Sequence, residues 1–216
     1  MTSSLISPSP TAPLGSVTTL PLYTPSDFCP GSLILCRNSA PLVAHAYALL
    51  QRDVPCIILG RDIGAALITI IRKMRGAHLP DLRGKLLVWH DREVGFAERE
   101  GRDAVAERIH DQYACLIFFI NSLDEDSQTI PDLITKIELM FTDDNENTGN
   151  RVTLATIHKA KGLEFPTVFF LDRNLIPSRY AKQPWQKEQE RNLLYVGITR
   201  AKLDLVYINS GNWKIE

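Results

Sequence analysis

Short, wholly apolar runs alternate along this chain with stretches of helical period, and that rhythm constrains the fold more than any other feature. Leu33-Ile34-Leu35-Cys36 and Cys56-Ile57-Ile58-Leu59 are continuous apolar runs. Between them, Ala40 to Arg52 carries Leu42, Val43, Ala46, Leu49 and Leu50 at helical spacing. After Gly60 the helical spacing returns over Gly64 to Met74, through Leu67, Ile68, Ile70, Ile71 and Met74. The β-pattern resumes at Val152–Thr156, Thr167–Leu171 and Leu203–Ile208. A strand with no polar alternation is buried on both faces, and strands joined through helices by short connections run parallel. The pattern therefore predicts an α/β fold, a parallel sheet with flanking helices.

Two stretches stand outside this rhythm. Residues 1–30 hold six Pro, six Ser and five Thr with no helical period. Such a composition offers little apolar surface to offset conformational entropy, so it reads as a mostly disordered leader. Residues 76–150 read as a mainly helical insertion, with a long helix over Glu93 to Leu123, a shorter one over Ile130 to Phe141, and an acidic loop from Thr142 to Asn150. The expected domain is then built from 31–75 and 151–209, with 210–216 as a tail.

Length and composition narrow the class. A chain of 216 residues buries enough surface to need no metal or disulfide staple. The longest apolar run, Tyr113 to Ile120, is far too short for a bilayer-spanning helix. No Lys or Arg precedes Arg37, so a basic signal or transit segment is not in view. Cys29, Cys36, Cys56 and Cys115 form no CxxC pair, and the last three sit in apolar runs. They read as reduced thiols of a cytoplasmic protein, with no metal site and no membrane partner.

The net charge of −1 conceals segregation. Segment 37–75 has six basic against two acidic side chains, and 151–216 has eleven against six, for +4 and +5. The insertion has seven against sixteen, for −9. A basic α/β core suits a polyanion such as nucleic acid or nucleotide phosphate, although solvated helices in insertions are also often acidic.

The chemistry concentrates in two stretches. Thr153-Leu154-Ala155-Thr156-Ile157-His158-Lys159-Ala160-Lys161-Gly162-Leu163-Glu164-Phe165 begins as an apolar strand and ends in a turn crowded with hydroxyl, imidazole and ammonium groups. The carboxyl end of a parallel strand is where open α/β sheets bind ligands. Glu164 after the glycine can accept from a ribose hydroxyl, or can equally serve as a cap or ion-pair partner. Gln189-Glu190-Arg191-Asn192-Leu193-Leu194-Tyr195-Val196-Gly197-Ile198-Thr199-Arg200-Ala201-Lys202 reads as a helix followed by a turn that presents Arg200 before the next strand. An arginine there can hold phosphate oxygens in bidentate fashion, and on its own it fits a surface loop as well.

Taken in this order, the two stretches resemble motifs of the UvrD/Rep-like superfamily 1 DNA helicases. The matching residues are Thr156, His158, Lys161 to Phe165, then Glu190, Arg191, Leu194 to Gly197, and Thr199 to Ala201. Leu33 to Ala40 and Gly60 to Gly64 resemble the start of the same helicases' second RecA-like domain. The resemblance spans about residues 31–209 and implies a RecA-like fold. It implies ATP with Mg²⁺ as cofactor, DNA repair or related DNA metabolism as setting, and single-stranded DNA as partner. Arg200 resembles the arginine that reaches the γ-phosphate across the cleft between motor domains, and so is the candidate catalytic residue. Gly162 and Glu164, with Arg200, resemble the nucleotide-binding positions, Glu164 holding the ribose. Arg37, Asn38, Thr156 and His158 resemble residues that grip single-stranded DNA. At Asn38-Ser39 the order departs from the Arg-Thr-Asn common in the family.

The family's first RecA-like domain carries GxxxxGK[ST] and an acidic pair for Mg²⁺. None of the twelve glycines here belongs to such a loop. Cys115 to Ile120 leading to Asp124-Glu125 imitates a metal-binding strand but lies within helical period. Nor does an arginine precede Arg37, where the family has one. The expectation is the C-terminal motor part of a 3′→5′ helicase, inactive alone, with a separate P-loop ATPase chain as possible partner. The alternatives are a stand-alone DNA-binding or regulatory module and a decayed helicase remnant.

Overall fold

The computed structural model describes residues 13–123, 129–142 and 148–214. Its strands are β1 (Ser16–Thr19), β2 (Leu33–Cys36), β3 (Cys56–Leu59), β4 (Phe141–Thr142), β5 (Val152–Thr156), β6 (Phe165–Leu171) and β7 (Ala201–Ile208). They form one seven-stranded sheet in the order β1-β7-β6-β2-β5-β3-β4. Every pair in it is parallel. Helices α1 (Ser39–Leu50), α2 (Arg61–Met74), α3 (Leu79–Arg99), α4 (Asp103–Asn121), α5 (Ile130–Met140) and α6 (Pro184–Ile198) flank it. The α/β class read from the apolar runs is the class observed.

The central strands are buried on both faces because alternate side chains enter two different cores. Ile34, Cys36, Leu154, Phe169 and Leu171 join the larger core, together with apolar residues of α1, α2, α4 and α5. Leu33, Leu35, Ala155, Val168 and Phe170 point the other way, where Leu193, Leu194, Val196 and Ile198 of α6 cover them. The approach of α6 is close at Gly197. A Cβ there would lie 2.7 Å from Phe170 Cε2 and 3.2 Å from Leu35 Cδ2, so only glycine lets the helix sit at this depth.

The described part of the leader is ordered, contrary to the expectation from its composition. Strand β1 pairs with the outer edge of β7 in the register Ser16↔Asp204 to Thr19↔Tyr207. Tyr23 and Phe28 are buried, and their rings meet Phe169, His45 and Trp213 edge-on or stacked. The Tyr23 hydroxyl bonds to His45 Nε2 at 2.7 Å, and His45 Nδ1 lies 2.7 Å from the Pro41 carbonyl. All four residues of β1 are exposed, so a ladder of backbone hydrogen bonds holds it, which periodicity does not register. Trp213, from the expected tail, closes the same aromatic cluster.

Between α2 and β5 the helices also differ from the sequence reading. The long helix expected over Glu93–Leu123 is two helices, α3 and α4, with the turn at Gly101 and an Arg102 N–H to Ala97 carbonyl bond of 2.8 Å. Cys115 to Ile120 lies inside α4, and Asp124-Glu125 lie outside the described residues. The chain rejoins the sheet at β4, where Ile58 pairs with Phe141, earlier than the β-pattern predicts. A two-residue strand is too short for alternation to reveal.

Candidate functional site

Because all strands run the same way, their carboxyl ends share one edge of the sheet and their amino ends the other. The predicted site residues divide between these two edges.

At the carboxyl edge, β2 delivers Arg37 and Asn38, and β5 delivers Thr156 and His158. All four line one open groove of about 680 Å³, together with residues of α4 and α6. Thr156 is buried, and its hydroxyl oxygen accepts the Lys159 N–H at 3.4 Å. His158 is exposed at the rim. Desolvation by the surrounding protein, then the Arg37 charge, hold its imidazole below the usual histidine range. Lys159 is turned away from the groove by a 2.6 Å ion pair with Asp62 at the start of α2.

Arg37 is not a free guanidinium. Its Nε and Nη2 donate to the two oxygens of Glu190 at 2.8 and 2.7 Å, and Nη1 donates to Glu107 at 2.6 Å and to Asn38 Oδ1 at 3.1 Å. Ser178 ties both acids together: its N–H donates to Glu190 at 2.9 Å and its hydroxyl to Glu107 at 2.7 Å. Burial opposes ionisation of Glu190, but the Arg37 and Ser178 hydrogen bonds win and hold its carboxyl below the ordinary carboxylate range. The same acids raise Arg37 further against its own desolvation. Asp111, one turn beyond Glu107 on α4, accepts the free N–H groups of Ser39 and Ala40 at 2.9 Å each, capping α1 from another helix.

Sequence reasoning assigned no role to Glu107, Asp111 or Ser178, and quoted Glu190 only as part of a motif. A buried arginine needs carboxylate partners, which was the available signal. Which of the many acids in 76–150 would supply them is settled only by how α4 packs on α1.

At the amino edge, the positions expected to bind nucleotide come together. The Phe165 N–H donates to the Arg200 carbonyl at 2.9 Å, which sets the starts of β6 and β7 side by side. Gly162, at φ +86°, turns the chain into β6, and Glu164 is exposed beside Lys202 at 3.8 Å. The half-buried Arg200 is held by neutral acceptors: Nε by the Val196 carbonyl at 2.8 Å, Nη1 by the Leu163 carbonyl at 3.0 Å, and Nη2 by the Thr199 hydroxyl at 3.1 Å. Among the described residues it meets no carboxylate within ion-pair distance. Two of its five N–H groups remain for an anion. Helix α6 joins the two edges, since it carries Glu190 in the groove and ends one residue before Thr199-Arg200. The rise from Glu190 to Arg200 is roughly 15 Å at helical pitch.

No helix among the described residues is long and apolar enough to cross a membrane.

Three relatives share part of this sequence. The chain is 37% identical over 95 residues to the ATP-dependent DNA helicase PcrA of Staphylococcus epidermidis, covering 42% of this chain and 13% of that protein. It is 43% identical over 82 residues to PcrA of Bacillus subtilis, covering 36% and 11%. It is 34% identical over 102 residues to the ATP-dependent DNA helicase srs2 of Schizosaccharomyces pombe, covering 46% and 11%. The matched stretches are thus a small fraction of each relative's length. Residues 78–211, most of the chain, match the UvrD-like helicase C-terminal domain. With an all-parallel sheet beneath both motifs, the chain belongs to the UvrD-like helicase C-terminal domain family.

Proposed function

We propose that this chain supplies the second wall of a DNA-translocating motor of 3′→5′ polarity. Arg200 and Glu164 face a nucleotide at the amino edge, and the groove at the carboxyl edge takes single-stranded DNA. The observation that carries this reading is the state of Arg200, held by three neutral acceptors and, among the described residues, meeting no carboxylate. An arginine kept only for structure is usually matched by an acid, and among the described residues Arg200 is not. One kept for a phosphate is held so that its orientation costs nothing further when the anion arrives.

ATP with Mg²⁺, when bound, supplies the phosphoryl group and the charge that the motor works against. This chain's part is to orient and stabilise. Arg200 offers its two remaining N–H groups to terminal phosphate oxygens, and Glu164 accepts from a ribose hydroxyl after giving up Lys202. The cradle for the β- and γ-phosphates and the metal carboxylates come from a P-loop domain, since these 216 residues hold no GxxxxGK[ST]. Asn38, Thr156 and His158 contact the strand at the other edge, and α6 links the two sites.

Mixing the chain with a separately expressed P-loop half from a relative tests the assignment. ATP turnover stimulated by single-stranded DNA is expected only with both halves, and Arg200→Ala is expected to lower kcat by about 10³-fold with little change in association of the halves. Turnover that survives Arg200→Ala, or that the chain shows unassisted, refutes it.

A further inference from the structure

The groove contains a guanidinium that is occupied from within. Glu190 binds Arg37 through two parallel bonds, whereas Glu107 binds it through one, at the Nη1 corner. A single oxygen of Glu107 collects two donors, Arg37 Nη1 at 2.6 Å and the Ser178 hydroxyl at 2.7 Å. A guanidinium N–H and a hydroxyl converging on one anionic oxygen is also the donor set that holds a phosphodiester oxygen. Glu107 is the less enclosed of the two acids, with its side chain 18% exposed against 11% for Glu190. Arg108 and Lys161 line the same groove, and among the described residues neither is paired with a carboxylate.

We infer that Glu107 is a gate on the groove: its carboxylate occupies the position of a backbone phosphate and must swing out before Arg37 and Ser178 can bind the strand. The inference rests on the groove being the single-strand site. Glu190 keeps Arg37 paired throughout, so its buried charge is never left without a carboxylate during the swap. Glu190 stays in place and continues to orient the guanidinium, with Nη1 turning from carboxylate to phosphate. The acidic helix that crosses the basic sheet thus contributes a tuned competitor, which keeps the groove closed to weak, non-specific polyanions.

Glu107→Gln tests the gate, because glutamine preserves shape and can still accept from Ser178 while losing the charge that holds Nη1. Binding of a fluorescent oligothymidylate to the full chain is measured across a salt series. The variant is expected to bind about fivefold tighter at low salt, with the slope of log K against log salt steeper by about 0.7, the signature of one added phosphate contact. In Glu107→Gln/Arg37→Lys the gain is expected to vanish, since an ammonium has no fixed fork to hold both oxygens of Glu190 while a separate corner takes a phosphate. Unchanged affinity and slope in Glu107→Gln, with measurable binding by the native chain, overturns the gate and leaves the groove reading standing. A gain that persists in the double variant also overturns it, reducing the effect to bulk charge. No binding by either protein at low salt overturns the groove reading and the gate with it.

Discussion

Removing Glu190 should be the most costly single substitution at the carboxyl edge. The side chains of Arg37 and Glu190 are each only 11% exposed, so the pair is far less screened than a surface ion pair. Glu190→Ala deletes the bidentate bond to Arg37 and leaves the Ser178 N–H without its acceptor. Arg37 keeps a single carboxylate, Glu107. Breaking a buried pair from one side costs roughly 3–5 kcal/mol, and the residual Glu107 contact places this case near the lower end. At about 2–4 °C per kcal/mol for a chain of this size, thermal unfolding should move down by roughly 6–12 °C. The acid also gives the effect a pH signature. The folded chain holds the Glu190 carboxyl below its ordinary range, so its contribution is complete above about pH 4.3 and is lost as pH falls through the depressed folded value. Urea unfolding of native and Glu190→Ala chains at pH 7 and at pH 3 measures both. The gap between them should narrow in acid. A difference below about 0.5 kcal/mol at pH 7, or a gap that widens on acidification, would refute the buried-pair account.

Other consequences are open to simpler measurements. Gly197→Ala places a Cβ 2.7 Å from the Phe170 ring and should destabilise the chain by about 1–3 kcal/mol in urea; a neutral effect would mean that α6 shifts freely on the sheet. Burial lowers the His45 imidazole below its ordinary value, so stability is full above about pH 6.5 and declines as the unfolded chain takes up its proton first. His45→Gln should flatten that decline, and an unaltered slope between pH 7 and 5 would assign it to other groups. Cys29 is exposed, whereas burial pushes the Cys36 and Cys56 thiols up to about 12 and that of Cys115 well above the ordinary value. A thiol reagent at pH 8 should therefore label one fast site in the native chain, and a fast phase that persists in Cys29→Ser would contradict this.

Glu107 and Asp111 illustrate how the charge segregation is used. The −9 of the insertion is not simply solvated. Glu107 and Asp111 turn inward from α4 onto Arg37 and the amino end of α1, joining the acidic helix to the basic sheet. Charge segregation along the sequence becomes charge complementarity in space.

Sequence alone determined the central sheet and the two motifs. Leu33–Cys36 and Cys56–Leu59 are apolar at every position and Val152–Thr156 at three of five, and that pattern is local enough to read residue by residue. The turn around Gly162 and the turn before Arg200 were each legible for the same reason, since within each motif the residues are close along the chain. Only the tertiary structure decided that each motif spans both edges, with Thr156, His158 and Glu190 at one and Gly162, Glu164 and Arg200 at the other, because edge is a property of strand direction across the whole sheet. It likewise decided that β1 is a strand, through backbone bonds to residues nearly 190 positions away, and that Arg37 is caged by Glu107 and Glu190. Those contacts pair groups with no periodic relation, and their energy exists only once α1, α4 and α6 have packed and driven out the water that would otherwise weaken them.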